Sequence, residues 1–291
     1  MSQSVLFDAP GPRTVRRHRV YTVITVGVLL ALLALVVLRL NERNQFEAGK
    51  WEVFATPSYL EFILNGLVDT LKMAATAIAG AMVLGLVLGI GKISDHQWIR
   101  RPCWAVVEFF RAVPVLMLMI FFFSIYGIYH GTSGPFWCVV WALTLYNGAV
   151  LAEVFRAGLL AVPQGQAEAA YAIGMRKSQV IWIVLLPQAV KIMIPAIISQ
   201  CVVTLKDTSL GYAIAAPGLT AVARPIYLEF QNHVPVYIVI AAIYVVVNLV
   251  LTAVATWVQK RFVGEKKVLQ VAMVGEQTAE AAPVTKFGRN P

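Results

Sequence analysis

"QAEAAYAIGMRKSQVIWIVLLPQA", residues 166–189, interrupts a chain that otherwise reads as lipid-soluble. The stretch holds a run of good helix formers, then Gly174, then the basic pair Arg176 and Lys177, and ends at Leu186-Pro187. Apolar runs long enough to cross a bilayer lie on both sides of it. What this polar insertion is for therefore decides what kind of membrane protein the chain is.

The 291 residues are 59% hydrophobic and only 13% charged, with a mean hydropathy of +0.72, outside the usual balance of soluble domains. Several runs reach the roughly 20 apolar residues that carry a helix across about 30 Å of hydrocarbon, whereas a barrel would show alternating segments of about 10. The expected fold is an all-α integral membrane protein of about six transmembrane helices, at approximately 20–40, 63–91, 104–128, 136–160, 188–215 and 236–258. The interruptions do not pair up as they would in a transporter built from two matching halves.

The net charge of +9 is distributed by loop, which argues against nucleic acid as a partner. Arg13, Arg16, Arg17 and Arg19 precede the first span, Lys92, Arg100 and Arg101 follow the second, Arg176 and Lys177 follow the fourth, and Lys260, Arg261, Lys266, Lys267, Lys286 and Arg289 follow the sixth. The opposite loops carry Arg43, Lys50 and Arg224. Positive charge marks the cytoplasmic side, so a multi-pass protein of a prokaryotic cytoplasmic membrane with both termini inside is expected. On this reading 1–19 is a cytoplasmic tail, and 20–59 is an uncleaved first helix with its external loop. Residues 263–291 form a disordered tail with no helical stripe. Cys103, Cys138 and Cys201 have no metal-like spacing and read as packing residues.

Within the insertion, Pro163 suits a first helical turn, Gln166 to Ala172 favour helix, and Gly174 accepts a left-handed cap. Ala169, Ala170, Ile173 and Met175 offer a small-residue surface, with Glu168 favourably placed against the helix dipole. A second amphipathic segment then runs to Leu186-Pro187, where proline is expected to end or bend the backbone. The result is a helix-turn-helix knob, 163–187. A helix lying on lipid needs large apolar anchors, and alanines suit a docking partner better.

Glu168-Ala169-Ala170, three residues, Gly174, then Ile183 and Leu186-Pro187 resembles the EAA signature of ABC importer permeases. "NGLVDTLKMA" from Asn65, "EFFRAVPVL" from Glu108, "AEVFRAGLLAVPQGQ" from Ala152 and "LKDTSLGYAI" from Leu205 look like its polar amino acid branch. The resemblance covers roughly 60–262 and implies a type I importer permease (MetI-like) core. It further implies a coupling helix docked on a cytoplasmic ABC ATPase dimer, a second permease subunit, identical or homologous, and an extracytoplasmic amino-acid-binding protein. The chain has no GxxxxGK[ST] loop, so it binds no cofactor of its own, and ATP and Mg belong to the partner ATPase. It is read as a non-catalytic subunit, with neither HExxH nor GxSxG present.

Ionisable groups inside spans cost about 2.5–3.5 kcal/mol each on insertion scales and tend to face protein or water. Arg111, Glu153, Lys206 and Asp207, with Thr208 and Ser209 at a possible helix break, are candidates for a substrate pathway. Lys72, Arg156 and Lys191 read as snorkelling or paired. Both signs of charge suit a zwitterionic amino acid, and Arg111 and Lys206 point to glutamate or aspartate. The competing reading is an ion-coupled secondary transporter or channel using Glu153, Lys206 and Asp207.

Overall fold

The structure is a computed structural model and describes residues 11–263; the expected tail over 263–291 lies, but for its first residue, outside the described residues. Helix α1 spans Pro12–Glu42, and a short helix α2 (Gly49–Glu52) leads into α3 (Pro57–Gly91). Then come α4 (Gln97–Ala112), α5 (Val115–Ile125), α6 (Gly134–Leu160), α7 (Gln164–Ala172) and α8 (Lys177–Gln179). The described residues end with α9 (Leu186–Asp207), α10 (Leu219–Phe230) and α11 (His233–Val263). Among the described residues, five helical stretches are long and apolar enough to span a membrane, or six if the bent pair α4–α5 counts as one.

The core is a seam between α3 and α6. Ala77, Ala81, Gly85 and Gly89 recur every four residues along one face of α3, and all are buried. A Cβ on Gly85 would sit 2.7 Å from Leu151 Cβ and 3.0 Å from the Gly148 carbonyl oxygen. Small side chains let the two backbones approach closely, which is how helices associate in lipid, where burial of apolar surface supplies no net drive. Around the seam, Met73, Met119 and Leu143 fill one cluster, and Leu151, Phe155 and Met193 fill another toward α9. At the far end Thr70 Oγ1 accepts from the Leu219 N–H at 2.8 Å, fixing the start of α10 on α3. None of the described side chains of α1 is buried, so this helix stands outside the packed bundle.

Three expectations change. The third span, expected over 104–128, is broken: α4 and α5 meet at 98°. Val113 takes an extended conformation before Pro114, as the ring of a following proline demands, and the helical path ends there. Second, Leu186-Pro187 neither ends nor breaks the chain's helical path. A π-helical turn over Val180–Leu185 runs directly into α9. The widened turn gives room to the proline ring, which would otherwise collide with the carbonyl four residues back. Third, α10 is an unforeseen helix between the last two spans, and α1 begins at Pro12, well before residue 20.

Gly89 tests the seam, because a Cβ there would lie 2.8 Å from the Ala152 carbonyl oxygen and 2.9 Å from Phe155 Cβ. Gly89→Ala is expected to destabilise the detergent-solubilised protein by about 1–3 kcal/mol, the usual cost of overpacking. Gly165→Ala, in a helix with open space around the site, is expected to be neutral or mildly stabilising. Thermal unfolding of the two variants makes the comparison.

Candidate functional site

The knob is built from local bonds. Pro163 is the N-cap of α7, one residue earlier than a first-turn position. At the other end Gly174 has φ +81°, with its N–H donating to the Tyr171 carbonyl at 2.9 Å and the Met175 N–H donating to the Ala170 carbonyl at 3.2 Å. This pair of bonds is the left-handed cap that glycine accommodates without a steric penalty. Gln188 Nε2 donates to the Val184 carbonyl at 2.9 Å and to Gln166 Oε1 at 3.4 Å, holding α7 against the π-helical turn.

The expected small-residue surface divides. Ala170 is buried and Met175 half-buried, while Glu168, Ala169 and Gly174 are exposed. Ile173 is 78% exposed at the tip, an apolar side chain offered outward beside alanine and glycine. Leu186 is half-buried and Pro187 exposed.

A second anchor was not foreseen. The Lys177 ammonium donates to the Ile93 carbonyl at 3.2 Å and pairs with Asp95, tying the knob to the α3–α4 loop. That bond from Lys177 holds the Asp95 carboxyl below the usual carboxylate range. A lowered folded pKa stabilises at pH above the unfolded value and is lost as pH falls through the folded one, so the tie persists at neutral pH.

At the same end of the bundle the charges form a network. Buried Lys92, at the end of α3, pairs with Glu153 of α6 and lies 3.4 Å from Glu108 of α4. Glu153 also accepts from Arg156 at 2.8 Å, and Glu108 pairs with Arg111 at 3.3 Å. These groups line a cavity of about 430 Å³ together with Arg100, Arg101 and Trp104. Sequence reasoning placed Lys92 among loop charges. Its position three residues past Gly89, on the seam that brings α3 to α6, was the available signal. Lys72, midway along α3, pairs with Asp69 one turn earlier at 3.6 Å.

A separate cavity of about 650 Å³ lies between α9 and α11, with Lys206, Ser209, Thr220, Tyr244 and Asn248 among its lining. Buried Tyr244 Oη and Asn248 Oδ1 there have no hydrogen-bond partner among the described residues. The helical path changes at the expected place, since Thr208–Ile214 is a 3₁₀ segment following α9. Thr208 is buried and donates to the Leu205 carbonyl at 2.6 Å; Asp207 is half-buried and outside both linings. The six pathway candidates are therefore not brought to one place. Arg111 and Glu153 line the first cavity, and Lys206 and Ser209 the second.

Glu153 carries a structural load that can be measured. Glu153→Gln leaves the Lys92 ammonium, whose side chain is only 5% exposed, without its better partner. Breaking such a pair is expected to cost about 3 kcal/mol. Chemical denaturation in detergent reads the loss, and Arg111→Gln, at an exposed pair, should cost well under half as much.

Comparison with known proteins agrees with this architecture. The family described as "Binding-protein-dependent transport system inner membrane component" matches residues 81–264. The glutamate transport system permease protein GluD of Corynebacterium glutamicum is 40% identical over 243 residues, covering 82% of this chain and 89% of that protein. A solved chain of an amino acid ABC transporter with histidines superposes with a TM-score of 0.65 at 29% identity, over 70% of this chain and 95% of that one. A chain of the inward-facing MetNI methionine ABC transporter shares the fold, with a TM-score of 0.63 at 21% identity over 71% of this chain and 99% of that one. These matches set aside the ion-coupled reading. By its sequence over more than half its length and by its fold, the chain belongs to the binding-protein-dependent ABC transporter permeases, the non-catalytic, multi-pass membrane subunits of importers whose ATPase is a separate subunit.

Proposed function

We propose that this permease moves a polar amino acid, glutamate or aspartate, across the prokaryotic cytoplasmic membrane by alternating access. The observation that carries the reading is the 40% identity to a glutamate permease across most of both chains. Lys206 supports it, as a cation that lines the α9–α11 cavity and makes no ion pair among the described residues. An acidic amino acid brings two carboxylates and one ammonium, so an unpaired cation answers its extra charge. Ser209 adds a hydroxyl beside it, and Thr208, bonded to the Leu205 carbonyl, follows Asp207 at the turn where α9 changes its path.

In this reading the 163–187 knob docks on a cytoplasmic ABC ATPase dimer. Glu168, Ala169, Ala170 and Gly174 form or support the docking face, and Leu186-Pro187 joins it to α9. Both termini lie on the knob's side of the membrane, with 60–262 as the permease domain and α1 appended before it. A second permease subunit, identical or homologous, completes the pathway, and an extracytoplasmic binding protein delivers the substrate. Closure of the ATPase dimer on ATP would shift the knobs, a rigid-body switch biased by a ligand at a remote site.

Uptake into membrane vesicles containing the assembled importer tests both halves. Glutamate or aspartate uptake should require ATP, and Lys206→Gln should raise KM on the order of tenfold, the loss of a charge-assisted hydrogen bond worth about 1.5 kcal/mol. Unchanged glutamate KM in that variant, or ATP-driven uptake of arginine in place of the acidic amino acids, would overturn the substrate assignment. Gly174→Asp should abolish ATP-driven uptake while the protein still inserts, because it puts charge at the exposed tip beside Ala169 and Ile173. Normal uptake by that variant would remove the knob from coupling.

A further inference from the structure

The corner where α3, α4 and α6 meet holds more positive charge than its carboxylates balance. Lys92, Arg100, Arg101, Arg111 and Arg156 line the cavity of about 430 Å³ against only Glu108 and Glu153. Lys92, Arg111 and Arg156 are each engaged by those two carboxylates. Arg100 and Arg101 make no ion pair among the described residues, and both are exposed. The pocket thus presents two free guanidinium groups and a net positive wall.

Its position says which anion it meets. Helix α4 turns 98° away from α5 and lies at the end of the bundle where α3 finishes and α6 leads into the knob. It is amphipathic, projecting exposed Trp98, Ile99, Trp104 and Phe109 alongside its arginines. Such a helix, with tryptophan at its flank, sits at the level of the lipid headgroups. Basic pockets between helices at that depth on the cytoplasmic side meet lipid phosphates, and guanidinium forks match phosphate oxygens.

We propose that this cavity binds the phosphate of an anionic phospholipid headgroup, with Arg100 and Arg101 as its free ligands and Trp104 against the lipid's glycerol and upper chain. Inorganic phosphate offers the same oxygens, but the tryptophan and the neighbouring exposed apolar side chains fit a lipid. Occupancy has a mechanical consequence. The next residues along, Ile93 and Asp95, are those that hold Lys177 of the knob, so a headgroup bridging α3 and α4 would brace the mount of the docking loop.

The test uses the full-length chain, purified in detergent and examined by native mass spectrometry with phosphatidylglycerol, phosphatidylcholine or inorganic phosphate added at matched concentration. Phosphatidylglycerol is expected to be retained at least tenfold better than phosphatidylcholine, and the double variant Arg100→Gln/Arg101→Gln to lose on the order of tenfold of that retention, from about 1 kcal/mol per basic residue near a charged surface. Arg16→Gln/Arg17→Gln, which removes the same charge from α1, should retain the lipid. Equal retention of the two lipids, undiminished retention by the Arg100/Arg101 variant, or inorganic phosphate displacing the lipid mole for mole would each overturn the proposal. A readout independent of that variant's folding is quenching by brominated phosphatidylglycerol, which should be stronger for the native chain than for Trp104→Phe; identical quenching would overturn it too. None of these readouts depends on the transported substrate.

Discussion

The close approach of α3 and α6 is the constraint on which the remaining structure rests. Ala77, Ala81, Gly85 and Gly89 present almost no side chain, and Gly148 and Ala152 answer them from α6. In lipid the helices gain little from hiding apolar surface, so packing contact and polar ties between helices must hold them. The seam then dictates the charges. Gly89 lies three residues before Lys92 and packs on Ala152, the residue before Glu153, so closing the seam delivers an ammonium to a carboxylate at the helix ends. A buried lysine is costly without a partner and tolerable with one. Asn147 repeats the pattern deeper in the bundle: it is fully buried, donates to the Leu143 carbonyl at 3.0 Å and accepts from Gln200 of α9.

Pro114 and Pro187 act in opposite ways, and the difference is set by the turn before each. Pro114 follows Val113 in an extended conformation, and the helical path stops and turns sharply. Pro187 follows a π-helical turn, and the path continues into α9. Both prolines lack an N–H and both crowd the preceding turn. At Pro114 the chain answers by leaving the helix, which frees α4 to lie across the bundle's end. At Pro187 it answers by widening the helix, which keeps the knob and α9 in one rod.

How much of this was readable in the sequence follows from which forces are local. The spans were legible because crossing a bilayer requires runs of apolar residues. The knob was legible because the Gly174 cap depends only on its own turn and on the residues either side. The bend at Pro114 was visible as a proline but not as an angle, since the same residue sits in Pro187 without breaking the path. The charged residues were the least legible. Glu153 and Lys206 look alike as charges within spans, yet one is held by Lys92 and Arg156 and the other lines a different cavity without an ion pair among the described residues. Only the packing of α3, α4 and α6 separates them. Lys177 is the same case: its partner Asp95 is 82 residues away in sequence, and no local pattern links the two.

The tie at Lys177 and the rod through Pro187 give the knob two separate connections to the bundle, and they differ in what they can transmit. From Leu186 to Asp207, α9 has 22 residues, roughly 33 Å at 1.5 Å per residue, and it ends where Lys206 and Ser209 line the α9–α11 cavity. A helix is stiff along its axis, so in the proposed function α9 would carry a displacement at Leu186 toward the cavity, with Pro195 inside the helix as the one point where its hydrogen-bond ladder is interrupted. The Lys177 contact is instead one ammonium bridging a carbonyl and a carboxylate on a loop, with Lys177 half-exposed, an arrangement that can open and reclose at modest cost. A knob held by one rigid connection and one breakable one can rotate about the first when the second lets go. That is the mechanical requirement which the proposed docking on an ATPase would place on the knob, since it would have to move the far end of a span while the seam between α3 and α6 stays closed.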